Sequence, residues 1–483
     1  MNHTYTPYLW QRMQNLHRQN PVSGHTPGHK NGLFLPASLQ NAWGSTFAAY
    51  DFTELDGLDN LHFSSDCIAQ SQHQAAEIFG AGQCFYLVNG TTAGLQAAIM
   101  AACSNRQVFV PRHVHRSVYH SLLLAHAQPV YLPLELDEAT SLPVGISTEV
   151  LQQYIERYPD CKNLILVNPT YQGITANNVQ CVELAKQHGL TVIVDEAHGS
   201  HLHFHENLPA SLLDAGADLV VQSWHKTLPV LTQGSALLVN RTYTGPSPEA
   251  FLSLLQTTSP SYLLMASLEA GSIYMGINAR NDTETSLQAI SALHRCIADT
   301  CKTLRVLWNP EWKQDPFKLY ILSDTLSGAE MDEYLRKHHA IYSEMHDNNG
   351  ILFILPVQTD EAWTERIYQA LLQLDRYSQE QNCKLPVTSA ASFYCNEIPE
   401  QAYPLQEAFY MEKQQILWRQ AAGRIAGQFI LRYPPGIPLL VPGERITQAI
   451  VDLWIAAGGS ADEPVTVLKG EQLCMEPYML SKA

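Results

Sequence analysis

The most pointed chemistry in this 483-residue chain lies in two short motifs, Val194-Asp195-Glu196-Ala197-His198 and Ser223-Trp224-His225-Lys226. Asp195 ends an apolar run, where an ionised carboxylate is costly unless a cation or hydrogen-bond donor meets it. A lysine in a partly desolvated pocket has a lowered pKa and can form a Schiff base with an aldehyde. Upstream, Asn89-Gly90-Thr91-Thr92-Ala93-Gly94 puts small residues and hydroxyls at a helix start. Backbone N–H groups and the helix dipole there favour an anion such as a phosphate ester. Each motif also has an ordinary reading: a capped helix, a solvated strand-end carboxylate, a surface lysine. Together they are the parts that pyridoxal 5'-phosphate requires. A cradle holds the phosphate, Asp195 pairs the protonated ring nitrogen, and Lys226 links the aldehyde. His115, in Arg112–Ser117, is placed to stack on the ring face; its ordinary reading is a surface histidine at a helix start.

Positioning these groups requires strands whose carboxyl ends converge. Seven apolar runs are available: Cys84–Asn89, Gln107–Pro111, Pro129–Leu134, Asn163–Asn168, Thr191–Asp195, Leu219–Ser223 and Ser235–Asn240. Runs this continuously apolar suit strands buried on both faces of a mostly parallel sheet. Helix-like segments such as Thr92–Cys103 and Asn178–His188 lie between them, giving an α/β fold with the site at the strand ends. The last two strands are close enough in sequence for one antiparallel neighbour. Order and spacing match the aspartate aminotransferase-like, fold-type-I pyridoxal enzymes.

Past Ser261 the pattern changes. A long helix is predicted from Tyr262 towards Cys301, then strand Lys318–Ser323, helix Gly328–His339, strand Ile351–Pro356 and helix Thr359–Leu374. This reads as a smaller α+β unit. Tyr433–Glu444 (YPPGIPLLVPGE) is a turn-rich loop. The expected division is an N-terminal arm over 1–60, a cofactor-binding domain over 61–300, a small α+β domain over 301–380 and a C-terminal domain over 381–483.

Composition narrows the class. Hydrophobic residues form 46% and charged residues 16%, enough apolar content for a large core and against disorder. No apolar run reaches the roughly 18 to 20 residues of a membrane helix, and the amino-terminal stretch lacks a secretory signal. A formal charge of -17 argues against a general nucleic-acid binder. Ten scattered cysteines without a CxxC pair, Cys296 and Cys301 among them, suit reduced thiols in a cytoplasm. His198, His201, His203 and His205 resemble metal ligands, and the last three would share one face of an extended stretch. No Asp or Cys completes a set, so no metal is expected.

Residues 21 to 444 carry a more specific likeness. Thr26-Pro27-Gly28-His29-Lys30-Asn31-Gly32, Asn89–Gly94, His115, Asn168-Pro169-Thr170-Tyr171, Asp195–Gly199, Ser223–Lys226, Thr257-Thr258-Ser259-Pro260-Ser261-Tyr262 and Pro434-Pro435-Gly436-Ile437-Pro438 with Pro442-Gly443-Glu444 resemble the bacterial Orn/Lys/Arg decarboxylases, in their short form without the N-terminal wing domain. The resemblance implies a pyridoxal 5'-phosphate enzyme that removes the α-carboxylate of a basic L-amino acid. It leans to arginine over lysine and ornithine, and implies a place in polyamine biosynthesis. By the same likeness Lys226 holds the cofactor, Asp195 its ring nitrogen and His115 its ring face. Thr91, Thr92, Ser223 and His225 surround its phosphate. Thr257 or Thr258 reaches the phosphate of a neighbouring subunit, making the active unit at least a homodimer. His198 stands beside the cofactor where some long-form relatives carry a bulky aromatic. His225 or Lys226 would protonate Cα. Glu444 is the first candidate for the substrate's distal cation, with Glu54, Asp56 and His29 near the same pocket. The enzymatic alternative is an aminotransferase, for which Arg424 or Arg432 would grip the substrate carboxylate. A pyridoxal-binding protein without catalysis is a third reading, opposed by the intact Asp195–Lys226 pair.

Overall fold

The structure is a computed structural model describing residues 5–348, 350–381, 398–431, 436–456 and 458–469. Arg432, Pro434 and Pro435 lie outside the described residues. Its centre is a seven-stranded sheet in the spatial order Gln83–Leu87, Ser235–Val239, Leu219–Gln222, Thr191–Asp195, Asn163–Val167, Gln107–Pro111, Gln128–Leu132. All seven strands fall on the apolar runs expected from sequence. Val192, Ile193 and Val194 are wholly buried, and burying each such side chain stabilises by about 1.5–3 kcal/mol. Six strands point the same way, while Ser235–Val239 runs antiparallel to both of its neighbours. The short link from Leu219–Gln222 has no room for a crossover helix, so the chain returns as an antiparallel strand.

The helix Gly90–Cys103 packs on this sheet through Ala93, Ala97, Ala98 and Ile99. Gly94 sets the approach: a Cβ there would lie 2.5 Å from Leu87 Cδ1 and 2.6 Å from Val221 Cγ1. The helix Tyr262–Thr300 runs for 39 residues. Its buried Glu269 accepts hydrogen bonds from the backbone N–H groups of Leu9 and Trp10, both at 2.9 Å. That carboxylate supplies the cap that Pro7 cannot give the first helix, Tyr8–Arg18. This helix was not expected from the sequence.

A second sheet of four antiparallel strands follows, in the order Leu304–Val306, Lys318–Ser323, Gly350–Ile354, Met345–His346. The two outer strands are too short to announce themselves in sequence. Helix Gly328–His339 begins with a capping box between Ser327 and Glu330. Helix Glu361–Glu380 outruns its expected end because Asp375 and Ser378 are buried, and Asp375 accepts from the N–H groups of Lys302, Thr303 and Leu304. In the C-terminal region, Lys413–Leu417 pairs with Pro464–Leu468 and Ile430–Leu431 with Pro438–Leu440. Among the described residues, no helix is long and apolar enough to cross a membrane.

The histidine-rich stretch is not extended. Leu202–Phe204 forms a 3-10 turn, which corrects the expectation of three histidines on one face. His201 pairs with Asp315 at 3.1 Å, His203 with Asp214 at 2.9 Å and His205 with Glu284 at 3.1 Å. His198 turns towards two lysines.

Candidate active site

At the carboxyl ends of the parallel strands lies a cavity of roughly 340 Å³. Gly90, Thr91, Thr92, His115, Asp195, His198, Ser223, His225 and Lys226 all line it. The local sequence explains the convergence. Asp195 ends one apolar strand, and Ser223, His225 and Lys226 follow the end of its neighbour, so these polar residues reach the crevice.

The helix Gly90–Cys103 has no side-chain cap; Asn89 Oδ1 accepts instead from Thr257 N–H at 3.3 Å. Gly90 adopts φ +73°, a left-handed turn that glycine reaches without strain. The Thr91 hydroxyl bonds to the Ser223 hydroxyl and to that of Ser235 at 3.1 Å. Hydroxyls from three chain segments thus meet beside an uncapped helix start, a polarity that suits an anion.

Two adjacent carboxylates behave differently. Glu196 is fully buried and accepts from Asn168, Ser211, Leu212 N–H and Gln222 at 2.7–2.9 Å. Asp195 is 6% exposed and, among the described residues, accepts only from Ala197 N–H, at 3.2 Å. Burial raises its pKa, against the opposing pull of Lys226 and that N–H. It lines the cavity with capacity left for a cationic partner.

Lys226 Nζ lies 3.0 Å from His198 Nε2. Burial lowers the lysine pKa, while Asp195 and Glu344 oppose the shift. His198 Nδ1 lies 2.8 Å from Lys318 Nζ. Burial, then the charges of Lys226 and Lys318, push the imidazole well below its ordinary pKa, so it is neutral. His115 caps the helix Arg116–Leu124, its Nδ1 accepting from Ser117 N–H at 3.2 Å. Burial, then Lys226, brings its pKa down to about 4. His225 Nδ1 lies 3.0 Å from the Gly234 carbonyl, so Nδ1–H donates and Nε2 is the acceptor of the neutral ring.

Other expected site residues lie elsewhere. Thr257 and Thr258 are exposed, outside the cavity of their own chain. His29 pairs with Asp51 at 3.0 Å, and neither lines the cavity. Glu54 accepts from the Thr53 hydroxyl, and Asp56 is exposed. Glu444 is corrected: it is fully buried, its carboxylate forked to Arg112 at 2.8 and 3.2 Å and accepting from Val441 N–H at 2.8 Å. Its charge is matched inside the protein, and a substrate in the cavity does not meet it. Arg424 donates to the Leu468 carbonyl and does not line the cavity.

Two lining or adjoining residues escaped the sequence reading. Glu344 lines the cavity and accepts from the Tyr171 hydroxyl at 2.6 Å. Lys318 begins a strand of the small sheet and reaches His198. Only Tyr171, in the Asn168–Tyr171 motif, pointed to this end of the cavity. Cradle, carboxylate and lysine could together hold pyridoxal 5'-phosphate.

Comparison with known proteins gives these groups a context. Residues 6–320 match the Orn/Lys/Arg decarboxylase major domain and residues 390–459 the C-terminal domain. The chain is 34% identical over 446 residues to the arginine decarboxylase of Halalkalibacterium halodurans, covering 89% of each. It is 33% identical over 457 residues to that of Bacillus subtilis, covering 93% of this chain and 92% of the other. The lysine decarboxylase structure of Francisella novicida superposes with a TM-score of 0.81, at 18% identity, over 96% of this chain and 81% of that one. The serine palmitoyltransferase of Sphingomonas wittichii shares the architecture more distantly, with a TM-score of 0.54 at 16% identity over 78% of this chain and 85% of the other. The fold is that of the fold-type-I enzymes, and the chain belongs to the Orn/Lys/Arg decarboxylase family.

Proposed function

We propose that this chain is a pyridoxal 5'-phosphate-dependent decarboxylase whose first substrate is L-arginine, with lysine and ornithine behind it. The observation that carries this reading is the convergence of Lys226, Asp195 and the uncapped Gly90–Thr92 helix start on one cavity. Arginine leads because the relatives named arginine decarboxylase are 32–34% identical, whereas the Pseudomonas aeruginosa lysine decarboxylase is 26% identical. The product agmatine would enter polyamine biosynthesis.

Bound pyridoxal 5'-phosphate supplies the electron sink for the pair left on Cα as carbon dioxide departs. Asp195 keeps the ring nitrogen protonated. Thr91, Thr92, Ser223 and His225 hold the phosphate with the first-turn N–H groups, and Lys226 provides the covalent attachment. His115 and His198 line the cavity and would flank the ring. Besides Asp195, Glu344 is the one carboxylate among the described residues that lines the cavity, and Tyr171 orients it for the distal guanidinium. Lys226 is the better proton source for Cα. Burial lowers the pKa of His225, and its Nδ1–H already serves the Gly234 carbonyl.

The active unit is a homodimer in this reading. Leu33, Phe34 and Phe63 are 68–80% exposed, an apolar surface that a second subunit would cover. Thr257 and Thr258, also exposed, would face that subunit's phosphate. The buried free thiols of Cys67, Cys84, Cys103, Cys161 and Cys181 support a cytoplasmic setting.

Purified chain loaded with pyridoxal 5'-phosphate and offered arginine, lysine and ornithine in competition should release carbon dioxide and the matching amine, with the highest kcat/KM for arginine. Transamination is the second reading, since Arg116 lines the cavity and could hold a carboxylate that must survive. A keto acid formed without carbon dioxide would establish it.

A further inference from the structure

Lys318 is a buried cation that the chemistry above leaves unused. It is 2% exposed at the start of Lys318–Ser323. The loop after Asn163–Val167 makes room for its stem through Gly173, where φ is +90° and a Cβ would lie 2.8 Å from Lys318 Cβ and Cγ. The ammonium head meets His198 Nδ1 at 2.8 Å, and His198 Nε2 meets Lys226 Nζ at 3.0 Å. Two lysines are therefore joined through one neutral imidazole.

This arrangement restricts the protons it can carry. A neutral imidazole has one N–H and one lone pair. The lysine facing the lone pair donates. The lysine facing the N–H must accept, which an amine can do and an ammonium cannot. Both bonds together require at least one neutral lysine.

The surroundings select which one. Asp315, three residues before Lys318, is fully buried. Its Oδ1 meets His201 Nε2 at 3.1 Å and Phe317 N–H at 3.0 Å, while its Oδ2 is buried with no hydrogen-bond partner among the described residues. Lys318 and that carboxylate favour each other's charged form, so neutralising Lys318 would weaken the support of a buried carboxylate. Glu344 acts on both lysines and does not discriminate between them. On the other side Lys226 faces Asp195, His115 and His225 across the cavity. Asp195 favours the Lys226 ammonium in the empty cavity, and would lose that hold once the ring nitrogen of a docked cofactor pairs with it, before Lys226 reacts.

We propose that Lys318 is a positioning residue that donates to His198 Nδ1, so that His198 Nε2–H holds Lys226 as the neutral amine. The proposal rests on the reading that Lys226 captures the cofactor aldehyde. In that capture Nζ forms a double bond to the aldehyde carbon, and its two hydrogens leave with the aldehyde oxygen as water. An ammonium would first have to give a proton to a base. Lys318 keeps the amine ready for the first capture and, once Lys226 has given its proton to Cα, for each return after turnover.

The test uses the full chain freed of cofactor and mixed with pyridoxal 5'-phosphate across a pH series. Capture is followed by absorbance, and its site by borohydride trapping and peptide mapping. In Lys318→Met the midpoint of the rate profile should rise by about one pH unit, roughly tenfold slower capture on the acid limb. Lys318→Arg, a permanent donor, should keep the wild-type midpoint. His198→Phe should raise the midpoint, and Lys318→Met added to it should move it no further. A Lys318→Met profile overlying wild type, or an additional rise on the His198→Phe background, would overturn the relay. If Lys318→Met does not fold, nitrogen-15 shifts of His198 in the wild type decide: Nε2–H supports the proposal and Nδ1–H overturns it. Wild-type label on another lysine would overturn the functional reading and this proposal with it, whereas label on Lys226 with unmoved midpoints defeats the relay alone.

Discussion

At one end of the cavity, Asp195 and the Ser223–Lys226 group stand at the ends of neighbouring parallel strands, and the Gly90 helix start is set by the same sheet. At the other end, Lys318 and Glu344 arrive from the small antiparallel sheet and are held by side-chain bonds to His198 and Tyr171. The first end is positioned by a backbone ladder that does not depend on the functional side chains. At the second, the ladder of the small sheet places the two backbones, and the polar contacts to His198 and Tyr171 aim the side chains. Substitutions of cavity-facing side chains at the first end should therefore change chemistry with little effect on folding, while Lys318 at the second couples one element to another.

The neighbours Asp195 and Glu196 sharpen this contrast most. Asp195→Ala removes a carboxylate with one backbone donor, so unfolding should stay near wild type while kcat falls about 10³-fold. Glu196→Ala strands four buried donors and should destabilise by several kcal/mol, at about 1–3 kcal/mol for each unsatisfied group. Turnover and thermal unfolding measured on both variants check the pair. Unchanged turnover in Asp195→Ala would remove Asp195 from the chemistry. Next in size is the Arg112–Glu444 pair. Glu444→Ala leaves a buried guanidinium uncompensated, a loss of about 3–5 kcal/mol of stability with KM for arginine little changed. A raised KM at unaltered stability would return Glu444 to the substrate.

The difference between the ends also explains what could be read in the sequence. The seven sheet strands, the Tyr262 helix start and the cradle, aspartate and lysine motifs follow local rules, in which an apolar run ends and a polar residue follows. Glu444 looked like a substrate contact because its partner Arg112 is remote in sequence, and no local pattern signals a buried pair. Lys318 opens an apolar strand, where a lysine ordinarily marks solvent. Glu344 precedes a strand of two residues, too short for any period to appear. The histidines from 198 to 205 suggested one face because alternation was assumed; a 3-10 turn sends them to separate partners. What remained illegible was tertiary pairing.

Glu344 tests whether the far end recognises substrate. Glu344→Gln keeps the shape and removes the charge, so kcat/KM for arginine should fall about tenfold to a hundredfold, the cost of a charged hydrogen bond of about 1.5–3 kcal/mol. Its side chain is exposed at the cavity mouth, so unfolding should not move. An equal loss for a neutral amino acid would show that Glu344 does not read the distal cation.

The smallest effect is a slope. Burial lowers the Lys318 pKa from 10.5 to about 8, with Asp315 opposing the shift. Between those two values the unfolded chain binds the proton and the folded chain does not, so stability rises with pH. The contribution is complete above 10.5 and is lost as pH falls through about 8. Lys318→Met has no proton to exchange, and its stability should rise less steeply over that window, by up to one proton or about 1.4 kcal/mol per pH unit. Reversible denaturant unfolding of wild type and variant at several pH values across the window gives the two slopes. Equal slopes would mean that Lys318 keeps its ordinary affinity for a proton when folded. The far end of the cavity would then be solvated like a surface, and its contrast with the strand-end site would lose its physical basis.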